Sequence, residues 1–126
     1  MKFDWRNFDE NTYIDMIKGK SDYYCGAIYV GDICIELIYE CCTLINDKSY
    51  IMFNFYVAHE DTGYGYKDEN DDFPYDFADG FDIDIPYNLS YNEFKEEVEK
   101  KSMEYIESYK GSYSLVEHAN RPLEIW

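Results

Sequence analysis

Residues 23–40 read YYCGAIYVGDICIELIYE, two β-rich runs on either side of Gly31-Asp32. A Gly-Asp dipeptide between such runs suits a two-residue hairpin turn, which fixes the pairing of whatever strands it joins. In the second run Ile33, Ile35, Leu37 and Tyr39 fall on one face of a strand, with Glu36 and Glu40 on the other. A further turn at Asn46-Asp47 leads into SYIMFNFYVAHE (49–60), where Ile51, Phe53, Phe55 and Val57 form the inward set. These segments predict a three-strand antiparallel meander. A fourth strand is expected at FDIDIP, with Phe81, Ile83 and Ile85 inward, Asp82 and Asp84 outward, and Pro86 as its end.

The helical signals lie outside the meander. DENTYIDMIK (9–18) has acids at its start, a lysine at its end and then Gly19, the punctuation of a short helix with Tyr13, Met16 and Ile17 on its apolar side. Ser90-x-x-Glu93 is a capping box and opens a longer helix over about 91–109. Tyr91, Phe94, Val98, Ser102, Tyr105 and Tyr109 recur at spacings of three and four along it, and Glu96–Lys100 and Glu97–Lys101 are i,i+4 pairs on its outer face. Past Gly111, a short edge strand is expected at 113–116, with Leu123, Ile125 and Trp126 closing over the core. The expected fold is α+β: an antiparallel sheet of about four strands flanked by the two helices. At 126 residues the chain fits one domain.

Between the meander and the fourth strand the composition changes. Residues 60–85 carry Glu60, Asp61, Asp68, Glu69, Asp71, Asp72, Asp76, Asp79, Asp82 and Asp84 against the single base Lys67. Tyr64, Tyr66, Phe73, Tyr75 and Phe77 are threaded through them. This segment predicts a long acidic, aromatic-rich loop at about 60–80. Over the whole chain 27 acids oppose 11 bases, a formal net charge of −16. Such a surface repels phosphate backbones and anionic lipid, so neither direct nucleic-acid binding nor membrane binding is expected. It attracts basic proteins or multivalent cations. With 46% hydrophobic and 20% aromatic residues, the chain does not have the composition of a disordered acidic tail.

Catalytic patterns are absent from the sequence. His59 and His118 are its two histidines, and a Cys41/His59 dyad would have no Gly-rich elbow or following helix N-terminus to activate it. Cysteine and histidine spacings match no zinc motif. The four cysteines, with Cys41 and Cys42 adjacent, read as reduced core thiols of a cytoplasmic protein. The opening MKFDWRNFDE has no apolar stretch or small-residue cleavage site, so a secretory signal is not expected. Asp68, Asn70 and Asp72 match the first ligand positions of a calcium loop and Asp79 falls at the twelfth. Phe73, however, stands where the turn needs glycine, and Pro74 comes next. Neither a cofactor nor a resident metal is expected; a weak calcium site remains the alternative use of these acids. A homodimer built on a strand edge or on the apolar tail is a further alternative.

Long loops of this kind are commonly functional, and rings within them can anchor an interface while charges steer the encounter. The expectation is a non-enzymatic protein whose partner is basic, engaged through Tyr64, Tyr66, Asp68, Glu69, Asp71, Asp72, Tyr75, Asp76 and Asp79. In size, acidity and single-domain character the chain resembles inhibitors of bacterial and phage conflict. These include immunity proteins that plug toxin nucleases, and anti-restriction or anti-CRISPR proteins that imitate nucleic acid. The resemblance implies a nuclease or another nucleic-acid-binding protein as the partner.

Overall fold

A computed structural model describes residues 2–18, 24–41, 48–58, 75–86, 88–111 and 114–121. In chain order these form β1 (Phe3–Asp4), α1 (Glu10–Ile17), β2 (Tyr24–Val30), β3 (Ile33–Cys41), β4 (Lys48–Ala58), β5 (Tyr75–Pro86), α2 (Tyr91–Ser108) and α3 (Leu115–Ala119). The five strands make one antiparallel sheet whose spatial order is the chain order. The meander forms as the sequence predicts. Val30 pairs with Ile33, so Gly31 and Asp32 alone make the turn.

Register follows burial. Val30, Ile33 and Val57 lie side by side across three strands, as do Ile28, Ile35 and Phe55, and all six are fully buried. Shifting any of these strands by one residue would turn its apolar set away from the core. Against this face pack Phe8, Tyr13 and Met16 from the N-terminal part, Phe94, Val98 and Ile106 from α2, and Leu115 and Ala119 from α3. On the other side of the same strands Ala27, Tyr29 and Ile38 are also buried, while Cys34, Glu36 and Tyr56 are half-buried. Burial pushes the Cys34 thiol up to about 12, and burial beside Glu36 pushes the Tyr56 phenol up to about 12. Cys34 is therefore a packed thiol and not a nucleophile at neutral pH.

Both predicted helices start at their caps. Asp9 accepts from the Thr12 N–H at 2.8 Å. Ser90 accepts from the Glu93 N–H at 3.2 Å while Glu93 accepts from the Ser90 N–H at 3.1 Å, closing the capping box. That second bond, to the backbone first, holds the Glu93 carboxylate below its ordinary value. A carboxylate depressed in the fold stabilises it at neutral pH, and the contribution disappears as pH falls through the carboxylate range. Ser90→Ala is expected to cost about 1 kcal/mol in urea unfolding. The same change keeps the Ser90 N–H, the main cause of the lowering, so Glu93 followed by NMR should stay below its ordinary value in the variant. A Glu93 that titrates at its ordinary value in the parent would mean the box does not form.

Three features differ from the sequence expectation. β1 adds a fifth strand by pairing Phe3 with Val30 and Asp4 with Tyr29. β5 begins at Tyr75 and not near Phe81, because β4 is eleven residues long and offers a pairing partner from Ala58 to Lys48. Of the expected edge strand at 113–116, residues 114–116 instead enter α3, and Tyr113 lies outside the described residues. Ser114 accepts from the Glu117 N–H at 3.3 Å, and the turn it starts buries Leu115, His118 and Ala119. Leu123, Ile125 and Trp126 lie outside the described residues. Ile85 is buried as expected; the side chains of Phe81, Ile83, Asp82 and Asp84 are not among those described. No helix among the described residues is long and apolar enough to cross a membrane.

Candidate functional site

The acidic segment joins β4 to β5. Tyr64, Tyr66, Asp68, Glu69, Asp71 and Asp72 lie outside the described residues, as do Asn70 and His59. Tyr75 and Asp76 open β5, where their backbones pair with Ala58 and Val57. The two strands carry the ends of the acidic segment side by side.

Asp79 has a different setting from that of a loop residue. It stands in β5 opposite Phe55 and is half-buried. Its carboxylate accepts the Tyr105 hydroxyl of α2, and its Oδ1 accepts the Gly80 N–H at 2.8 Å. The Tyr105 ring lies 4.7 Å from Phe55, and Tyr109 donates to the Ala78 carbonyl at 3.3 Å. Burial, then the bond to Asp79, raises the Tyr105 phenol, which stays protonated and donating. Asp79 thus ties β5 to α2, and its charge is already engaged within the fold.

A second anionic surface runs along α2. Glu96, Glu99, Lys100, Met103, Glu104 and Glu107 line a shallow, open depression. Their spacing places them on one side of the helix, opposite buried Phe94, Val98, Ser102 and Ile106. Four carboxylates face one ammonium there, around an exposed Met103. Trp5 donates to Glu99 at 3.4 Å at its margin, and the Lys95 ammonium lies 5.4 Å from the Trp5 ring centre and 5.2 Å from that of Tyr91. In the sequence this face is legible as the outer side of an amphipathic helix. Its excess of acid is the additional feature.

One charged constellation has no signal in the sequence. Asp32, in the hairpin turn, is 1% exposed. His118 Nδ1 of α3 and a guanidinium nitrogen of Arg121 each stand 3.8 Å from its Oδ2. Arg121 also reaches Glu117 at 3.0 Å. Two acids and two basic side chains therefore meet where α3 touches the turn. The backbone joins them as well, since the Asp32 N–H donates to the His118 carbonyl at 2.8 Å and so satisfies a carbonyl at the end of α3. At 3.8 Å the His118 Nδ1 and Asp32 Oδ2 atoms are neighbours beyond direct hydrogen-bond reach of each other. The chemistry of the constellation is that of a clamp.

Among the described residues no group of three or more His, Cys, Asp or Glu side chains could hold a metal ion. Of the acids that match calcium-loop spacing only Asp79 is described, and Tyr105 occupies it. No protein-family model, curated protein or solved structure matches the chain.

Proposed function

We propose that this chain is a non-enzymatic inhibitor that binds a basic, nucleic-acid-handling protein and occludes its substrate channel, as nuclease immunity proteins and anti-CRISPR-type nucleic-acid mimics do. The observation that carries this reading is the net charge of −16 on a small folded domain. Part of that charge is displayed along α2, and a larger part is strung between the ends of β4 and β5. Acids spaced over a surface can occupy a basic groove that otherwise takes phosphates, and the field raises the encounter rate. Tyr64, Tyr66 and Tyr75 then supply the contact area that slows dissociation.

The test has two arms. Affinity capture from the native host, eluted with a salt gradient, is expected to recover one basic nuclease or nucleic-acid-binding protein. Raising the salt from low to well above physiological should slow association by roughly two orders of magnitude, as screening removes the steering. A variant with Asp68, Glu69, Asp71, Asp72 and Asp76 changed to Asn or Gln should lose the capture. Asp79 is left intact because it anchors Tyr105. Binding that is flat with salt, or unchanged in the neutralised variant, would rule out the acidic surface as the recognition element.

A further inference from the structure

Trp5, which follows β1, and Tyr91, which opens α2, are half-buried and form two walls of a notch. Their ring centres lie 6.3 Å apart and their planes meet at 89°. The notch holds a cation. The Lys95 ammonium sits 5.4 Å from the Trp5 ring centre and 5.2 Å from that of Tyr91, within the range at which a ring face attracts positive charge. Glu99, one turn further along α2, accepts the Trp5 indole N–H at 3.4 Å, so a carboxylate borders the same rings. Glu99 also lines the depression with Glu96, Met103, Glu104 and Glu107, which joins the notch to the acidic face of α2.

The walls are fixed before any partner arrives. Trp5 packs edge-on against Phe8 and Phe94, with ring centres 5.6 and 6.3 Å away, and the Tyr91 hydroxyl donates to the Phe8 carbonyl. A preformed site binds without the cost of ordering its rings. Lysine is the weaker of the two basic side chains for such a place, being a point charge on a flexible four-carbon stem. A guanidinium lies flat on an aromatic face and offers a planar fork of donors to a neighbouring carboxylate. Two rings with Glu99 beside them therefore suit arginine better than the lysine they hold. Tryptophan, tyrosine and arginine are also the side chains that most often anchor interfaces.

We propose that the Trp5–Tyr91 notch binds an arginine side chain of the basic partner, and that Lys95 fills it in the free chain and is displaced on binding. The α2 carboxylates draw the guanidinium in, and the rings with Glu99 hold it. This rests on the reading of the chain as a binder of a basic protein, and it specifies how one side chain of that partner is held.

The test uses the full chain, isotopically labelled, with the Trp5 indole N–H and the backbone amides followed by NMR. The probe is an octapeptide alternating arginine and glycine. A counterpart with citrulline in place of arginine keeps the shape and loses the charge. The arginine peptide is expected to shift the Trp5 indole N–H and the amides around Lys95 and Glu99. Its affinity should rise about threefold or more in Lys95→Gln, which vacates the notch. Lys110→Gln removes the same charge from an exposed position beyond the end of α2 and should change the affinity less than about twofold. Trp5→Leu should lower it about threefold or more, and the citrulline peptide should not bind. Lys95→Gln decides the matter even where Trp5→Leu does not fold. Equal gains in Lys95→Gln and Lys110→Gln, or peptide shifts that leave the Trp5 indole unmoved, would overturn the notch while leaving a basic partner in place. Failure of every basic peptide and basic protein to bind would overturn both readings.

Discussion

Gly31→Val is expected to lower the unfolding free energy by about 3 kcal/mol, from two costs acting together. Gly31 has φ of +55°, which a β-branched residue adopts only under strain. The second cost is collision. A Cβ at Gly31 would stand 2.2 Å from the His118 carbonyl oxygen and 2.6 Å from the carbonyl carbon and oxygen of Ala119, all backbone atoms of α3. Neither the turn nor α3 can yield without opening the bond from the Asp32 N–H to His118. The measurement is the urea midpoint, accompanied by amide exchange across 115–121, which should accelerate as α3 loosens. Gly31→Asn separates the two causes, because asparagine tolerates positive φ but still carries the colliding Cβ. Asn should lose most of what Val loses. An Asn variant as stable as the parent would mean that α3 does not press on the turn.

The hairpin itself is legible because its information is local. The turn dipeptide, the alternation of Ile33, Ile35 and Leu37, and the capping box at Ser90 each sit within a few residues and each have a fixed period or spacing. What the sequence hides depends on contacts between distant residues. β1 is two residues and has no period to read. Tyr75–Gly80 includes two aspartates and a glycine, poor strand formers alone, and becomes β-structure by pairing with a long β4. The mismatch at 113–116 has a local cause. Leu115 and Val116 suit a strand, but Ser114-x-x-Glu117 repeats the Ser90-x-x-Glu93 pattern, and the cap decides the outcome.

The candidate site divides along the same line. Its acids and rings are visible in composition, which needs no fold. The buried meeting of Asp32 with His118 and Arg121 is not visible, because the turn and α3 come together only through the tertiary structure. Asp79 shows the limit of composition in one residue. Counted as a surface charge in the sequence, it proves to be the acceptor for Tyr105. A carboxylate that a folded helix already engages steers a partner less than one left to solvent.

Phe94→Ala is the change expected to destabilise most, by about 3–5 kcal/mol. Phe94 is 1% exposed and stands where three separate pieces of chain meet. Its ring centre lies 4.4 Å from that of Tyr13, 5.9 Å from that of Phe8 in a stacked arrangement, and 6.3 Å from that of Trp5. The neighbouring phenols are fixed to backbone: Tyr13 donates to the Leu89 carbonyl at 2.6 Å and Tyr91 to the Phe8 carbonyl. Rings pinned in this way cannot move in to refill the space, so the cavity persists and its full cost is felt. Against a typical total of about 5–15 kcal/mol this is a large share, read as a lower urea midpoint with an unchanged slope. The variant also bears on function. Below its midpoint it retains the whole charged surface and should bind a basic partner with the parent's salt dependence. The neutralised acidic variant should behave in the opposite way, losing binding while keeping or gaining stability as self-repulsion falls. If folded Phe94→Ala lost binding as well, the packing beneath α2 would have to shape the interface, and charge alone would not account for recognition.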